Sequence, residues 1–195
     1  MKSVRILTGT GIPLRRSDVD TDQIIPADWL KRVERTGFEA GLFATWRDDR
    51  SFVLNDERYV SATILVAGPS FGVGSSREHA VWAIQQYGFE AVIAPSFSDI
   101  FRNNCTKNGL APVALALDAV EKIWAAIEAD EATEIVIDME RLTVEVASIS
   151  LTASFPMEPQ NQYRFLNGLD DIGITMSHSD EITSFESTRP SWLTN

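Results

Sequence analysis

The stretch from Ala62 to Ala94 limits the possible folds more than any other part of this chain. Ala62-Thr63-Ile64-Leu65-Val66-Ala67 is a short apolar run rich in β-branched side chains, the pattern of a buried strand. Gly68 to Gly74 reads as a glycine-rich turn. From Ser76 to Tyr87 the apolar residues Ala80, Ala83, Ile84 and Tyr87 recur at helical spacing, and Gly88 fits a left-handed helix stop. Ala91-Val92-Ile93-Ala94 is the next buried strand. Strand, helix and strand within about 33 residues make a βαβ unit, whose two strands must run parallel.

The flanking sequence extends this unit into an α/β fold with an antiparallel addition. A second helix is expected from Ser98 or Asp99 to just before Gly109, then a strand over Pro112–Leu117, then a helix capped by Asp118. In that helix Val120, Ile123, Trp124 and Ile127 follow the i, i+3, i+4, i+7 rule. Glu134–Asp138 and Leu142–Val146 alternate at period two around Met139-Glu140-Arg141, which predicts a hairpin. Helices are expected near Gln160–Leu166 and Ser179–Glu186. The first 60 residues are punctuated by Gly9-Thr10-Gly11-Ile12-Pro13, Asp18-Val19-Asp20-Thr21-Asp22 and Ile24-Ile25-Pro26. They read as short strands joined by ordered loops, with a short helix capped by Asp28 running through Trp29, Leu30 and Val33 to Gly37. The whole forms one domain, 1–195: a loop-rich region (1–60), a βαβ core (61–130), and a hairpin with a helical tail (131–195).

Charge and composition narrow the function. Of 28 acidic and 17 basic side chains, residues 1–60 hold ten of each, so the net charge of −11 arises after residue 60. A surface so acidic repels polyanions, which disfavours nucleic-acid and anionic-membrane binding. One cysteine cannot hold an iron–sulfur cluster, and two histidines, His79 and His178, cannot build a multi-histidine metal site. No bound metal is expected. The N-terminal residues lack a signal-peptide core and no 18-residue apolar run follows, so a soluble cytoplasmic protein is expected. In that setting the sequon Asn104-Cys105-Thr106 is accidental.

Chemistry concentrates in Gly68-Pro69-Ser70-Phe71-Gly72-Val73-Gly74-Ser75-Ser76-Arg77-Glu78-His79, between buried strand and helix, where α/β proteins place ligand loops. A phosphate-binding P-loop counted from Gly68 would need glycine and lysine at Val73 and Gly74. A dinucleotide fingerprint fails at Arg77, and again at Leu14 when counted from Gly9. Two readings remain. Ser75 and Glu78 match a helix capping box, worth about 1 kcal/mol. Alternatively, Gly72 and Gly74 let a ligand approach the backbone, the helix terminus offers N–H groups, and Arg77 offers a bidentate fork for a carboxylate. Capping requires neither the glycines nor the arginine.

Gly74-Ser75-Ser76-Arg77-Glu78-His79-Ala80, with Asp20-Thr21-Asp22-Gln23-Ile24-Ile25-Pro26, resembles the swivelling domain of the aconitase superfamily, a three-layer β/β/α fold. Leu30-Lys31-Arg32, Thr36-Gly37-Phe38, Asn104–Gly109 and Leu169-Asp170-Asp171-Ile172-Gly173 extend the resemblance along essentially the whole chain. They point to the small-subunit family of the isopropylmalate hydro-lyases of leucine biosynthesis. One departure is Val73, where many relatives carry cysteine; that side chain is not the catalytic one.

The resemblance implies movement of a hydroxyl between adjacent carbons of 2-isopropylmalate through isopropylmaleate. By position, Ser75 is implied as the base, acting as an alkoxide, with Arg77 and Ser76 holding a substrate carboxylate. Asp22 is implied to orient the serine or arginine, although its spacing alone equally suits a turn-stabilising residue. Family members carry a [4Fe–4S] cluster on another domain, so a cluster-bearing large subunit is the implied partner. His79 reads as structural, and Cys105 as a small buried residue.

Leu30, Lys31 and Arg32 are implied substrate-loop residues, with Ile25, Leu30 and Val33 as apolar contacts for an isopropyl group. For Lys31 and Arg35 a solvated basic helix face stands equally open. Methylmalate (citramalate) or homoaconitate hydro-lyase small subunits, or a non-catalytic carboxylate-binding module, are the competing readings.

Overall fold

One long strand organises the fold, in a computed structural model that describes residues 1–75 and 77–189. β1 (Ile6–Leu14) is shared by two sheets. Its first half pairs antiparallel with β5 (Glu134–Asp138), from Ile6 opposite Asp138 to Thr10 opposite Glu134. Its second half pairs parallel with β2 (Ile64–Ala67), from Gly11 opposite Ile64 to Leu14 opposite Ala67. The parallel side continues through β3 (Ala91–Ala94) to β4 (Ala111–Ala114), and the antiparallel side through β6 (Thr143–Val146) to β7 (Leu151–Ser154). The order is β4-β3-β2-β1-β5-β6-β7.

The changeover falls at Gly9-Thr10-Gly11, and crowding explains the glycines. A Cβ on Gly9 would lie 2.0 Å from Thr63 Oγ1, and one on Gly11 would lie 2.6 Å from Ile127 Cδ1. The residues that failed as a nucleotide fingerprint instead admit a helix and a neighbouring strand against β1.

That helix is α5 (Leu117–Ala129). Val120, Ile123 and Ile127 are at most 1% exposed, and each such burial is worth about 2 kcal/mol. Trp124 donates from Nε1 to the Val66 carbonyl at 2.8 Å, tying α5 to β2. The helix begins two residues earlier than expected. Extended Ala116 precedes it, and Asp118 lies inside the first turn, 3.7 Å from Lys122. Asp118 therefore complements the helix dipole and does not cap it.

The predicted βαβ unit is present, with α3 (Glu78–Tyr87) between parallel β2 and β3 and stopped by left-handed Gly88. α4 (Asp99–Asn108) is capped by Ser98 and ends at left-handed Gly109. The strand expected over Pro112–Leu117 is the shorter β4. The hairpin forms as β5–β6.

In the first 60 residues the expected short strands are replaced by β1 and by single helical turns. Two of these are α1 (Thr21–Ile24) and α2 (Ala44–Arg47). The helix expected from Asp28 to Gly37 is a 3-10 turn over Ala27–Lys31. Arg32 leaves it in extended conformation because its guanidinium donates to the Gly37 carbonyl at 2.8 Å and lies over the Trp29 ring. Val33 is consequently 93% exposed. The tail adds α6 (Pro159–Asn167), α7 (Asp171–Met176) and α8 (Ser179–Ser187).

Candidate active site

The site forms where two loops dock at the carboxyl ends of β1 and β2. Gly72 and Val73 donate their N–H groups to the Val19 carbonyl at 2.8 and 3.2 Å. Thr21 N–H donates to the Val73 carbonyl at 3.0 Å, making a parallel bridge between Asp20 and Val73. The Thr21 hydroxyl donates to the Ser75 carbonyl at 2.9 Å. Asp20 and Gln23 form a reciprocal capping box that fixes α1, so the Asx role falls to Asp20. Asp22 is thereby freed, and its Oδ1 accepts from Arg77 Nη1.

Arg77 is the N-cap residue of α3, and its side chain is 15% exposed. Ser75 therefore lies two residues before the helix cap, and the capping-box expectation for Ser75 and Glu78 does not hold. The Glu78 carboxylate accepts instead from Asn108 Nδ2 at 2.8 Å, and the N-cap Arg77 side chain makes no capping bond to α3. Ser75 is exposed, and its carbonyl is engaged by Thr21. Ser75 lies in sequence just before the N-terminus of α3, where partial positive charge favours an anion.

Gly72 and Gly74 both adopt left-handed backbone, at φ +75° and +89°. A Cβ on Gly72 would also lie 2.2 Å from Phe101 Cγ. Gly72→Ala is expected to cost about 3 kcal/mol from backbone strain and overpacking, measured as a fall in the urea midpoint of the isolated chain. Gly74 has room for a Cβ, its nearest neighbour being Asp20 Cβ at 3.4 Å, so its constraint is conformational. The Ser98 hydroxyl donates to the Gly72 carbonyl at 2.5 Å, anchoring the turn to α4.

Asp22, Gly72, Gly74, Ser75 and Arg77 are thus brought into one constellation. Ser76 lies outside the described residues. Lys31 pairs with Asp28 at 2.8 Å in open solvent, which raises its ammonium pKa through that hydrogen bond and attraction. Arg32 closes its own loop onto Gly37. Leu30 sits on the same 3-10 turn, half-buried. Ile25 is fully buried and so belongs to the core. His79 packs against Phe38 and Trp82, with ring centroids 5.4 and 4.7 Å away.

Sequence reasoning missed Thr21, whose hydroxyl fixes the Ser75 backbone, and Gln86. From the far end of α3, Gln86 accepts from Phe38 N–H and donates to the Arg35 carbonyl. No periodicity marks Gln86. The Asp-x-x-Gln spacing of Asp20 and Gln23 was the available signal for an ordered turn at Thr21.

The donor set does not fit an iron–sulfur cluster. Cys105, the chain's one cysteine, is fully buried in α4, and burial pushes its thiol pKa well up. Among the described residues no three His, Cys, Asp or Glu side chains form a metal-ligating group. Iodoacetamide is accordingly expected to label Cys105 only when the chain unfolds, with labelling tracking the denaturation curve by mass spectrometry. No helix among the described residues is long and apolar enough to cross a membrane.

Comparison with known proteins shows which family the chain resembles. The Aconitase C-terminal domain family matches residues 1–118. The family of C-terminal domains from the 3-isopropylmalate dehydratase small subunit matches residues 171–193. A 3-isopropylmalate dehydratase small subunit from a Parafrankia species is 56% identical over 193 residues, covering 99% of this chain and 98% of that one. One from a Nocardioides species is 57% identical over 187 residues, covering 95% and 93%. The crystal structure of a 3-isopropylmalate dehydratase from Methanocaldococcus jannaschii superposes with a TM-score of 0.65 at 27% identity, covering 93% of this chain and 99% of that one.

Proposed function

This chain belongs to the small-subunit family of 3-isopropylmalate dehydratase, the leucine-biosynthesis hydro-lyase of the aconitase superfamily, and from that premise we propose that Ser75 is its catalytic base and Arg77 its carboxylate anchor. The reaction removes a proton from C3 of 2-isopropylmalate and hydroxide from C2, giving isopropylmaleate, then returns both with exchanged positions to give 3-isopropylmalate. It needs a base for a carbon-bound proton, holders for two carboxylates and an electrophile for the leaving hydroxyl.

A serine hydroxyl is a weak acid and serves as a base only if its alkoxide is stabilised. Ser75 stands next to the N-terminus of α3 and two residues from Arg77, and both favour negative charge there. Among the described residues Arg77 is held by Asp22 through one nitrogen, Nη1, and its planar fork suits a substrate carboxylate. Ser76 would add a hydroxyl to that carboxylate, and Gly72 and Gly74 would let it approach the backbone. Leu30, Lys31 and Arg32 follow on the adjoining loop as substrate-loop residues. The observation that carries the reading is the docking of the 19–21 loop on residues 72–75, with Arg77 half-buried and paired with Asp22 and Ser75 exposed.

The electrophile comes from elsewhere. We infer a large subunit that supplies a [4Fe–4S] cluster as Lewis acid, the active enzyme being the assembled pair, in the cytoplasm. The test is anaerobic reconstitution with the cluster-bearing large subunit, assayed on 2-isopropylmalate, citramalate and homoaconitate. The expected result is turnover of 2-isopropylmalate by the pair alone. Full activity of the isolated chain, or preference for another acid, overturns the reading.

A further inference from the structure

We propose that α7 and α8 form the docking surface by which this chain holds its large subunit, an inference that rests on the two-subunit reading above. The two helices are amphipathic, yet neither contains a buried residue. Ile172 is 74% exposed, Met176 64%, Ile182 39% and Phe185 66%. Ile172 and Met176 are four residues apart, and Ile182 and Phe185 three, so each pair shares one helix face. Helices of six and nine residues are marginal in water without a packed face. What ties α7 back is electrostatic: Asp171 contacts Arg164 of α6 at 2.5 Å and Lys107 of α4 at 3.9 Å. Three large apolar side chains more than 60% exposed, with Ile182 partly exposed, over so short a segment mark an interaction site.

The family boundaries identify the occupant. Residues 1–118 match a domain named as the C-terminal part of aconitase, where the domain is one portion of a longer chain. The segment 171–193 matches a domain named for the separate small subunit. A domain that is a free subunit has no covalent link to the rest of the enzyme and needs a surface in its place. Both exposed apolar pairs lie within the segment that marks the free-subunit form. The same segment, with the residue before it, carries exposed Asp170, Asp171, Asp180, Glu181 and Glu186. The partner surface is therefore an apolar patch bordered by lysine or arginine, and its association is steered by charge.

The test combines Ile172→Ser, Met176→Ser, Ile182→Ser and Phe185→Ser in the full-length chain, titrated into a fixed amount of cluster-loaded large subunit. Association is followed by sedimentation velocity and turnover in parallel. The half-saturating concentration is expected to rise about tenfold or more, with plateau turnover and KM unchanged. An unchanged half-saturation overturns the proposal. So does a fall in plateau alone, or dispersal of a self-associated form of the isolated chain with partner affinity intact, which assigns the face to a second copy. A drop in the isolated chain's unfolding midpoint without loss of affinity assigns the face to the chain itself and equally overturns it. Asp180→Asn with Glu186→Gln leaves the apolar pairs intact and is expected to flatten the ionic-strength dependence of association; an unaltered dependence contradicts the charge steering. Ser75 variants are read on the plateau and these on half-saturation, so either reading can fail without the other.

Discussion

Ser75→Ala, assembled with the large subunit, is expected to lose about 10²- to 10⁴-fold in turnover at saturating 2-isopropylmalate, the usual worth of a positioned base. The structure makes this substitution unusually clean. Ser75 is exposed, and the bond that fixes its position runs from the Thr21 hydroxyl to the Ser75 carbonyl, which alanine keeps. Neither packing nor a helix cap is disturbed, because the N-cap of α3 is Arg77 and Glu78 bonds to Asn108. Partner affinity and unfolding midpoint should hold while turnover collapses. A non-catalytic carboxylate-binding module would instead keep its ligand affinity, with no turnover to lose. A purely structural subunit would show no change at all.

Arg77→Lys is the second large effect. Lysine keeps the charge and loses the planar fork, so it can satisfy Asp22 or a substrate carboxylate but not both in the present geometry. A loss of about 100-fold in kcat/KM is expected, carried mainly by KM, since charge-assisted hydrogen bonds to a carboxylate are each worth about 2 kcal/mol. Folding should register little. Asp22 is 55% exposed, and an ion pair with one partner that open contributes at most about 1 kcal/mol to stability. Asp22→Asn should lower kcat/KM less, by loosening Arg77. The Asp22→Asn, Arg77→Lys double variant should fall short of the sum of the two, because both act through one contact. Full additivity in that cycle would show that Asp22 does not position Arg77.

The parts of the fold that can be read from sequence are those where one physical signal acts alone. β2, β3, α3, α4 and α5 are buried runs or one-faced helices, and Gly88 and Gly109 end two of them. Their periodicity survives in the structure. β1 escapes such a reading because its two halves answer to different sheets, and its glycines, which mimic turn punctuation, are there for the approach of Thr63 and Ile127. β7 is a half-exposed edge strand of Leu151-Thr152-Ala153-Ser154, with too little apolar contrast to declare itself. α7 is six residues long and buries none of them.

The site is legible in the sequence as a set of residue types and not as an arrangement. Glycines, serines and an arginine at a strand-to-helix turn indicate an anion site on physical grounds. That Asp22 meets Arg77, 55 residues away, follows from backbone bonds between the 19–21 and 72–73 segments and the Thr21 hydroxyl on the Ser75 carbonyl, which no local pattern encodes. The capping-box spacing of Ser75 and Glu78 is the misleading signal. It fails because Asn108 takes the glutamate and Arg77, drawn to Asp22, is the N-cap of the helix.

On this reading a side chain of the small subunit moves the carbon-bound proton. The most direct test is exchange of the C3 protons of 2-isopropylmalate with deuterated water, followed by NMR in the reconstituted Ser75→Ala pair. Incorporation is expected to fall in step with turnover while partner binding is retained. Wild-type rates of deuterium incorporation in that variant would contradict it, placing the base on another residue.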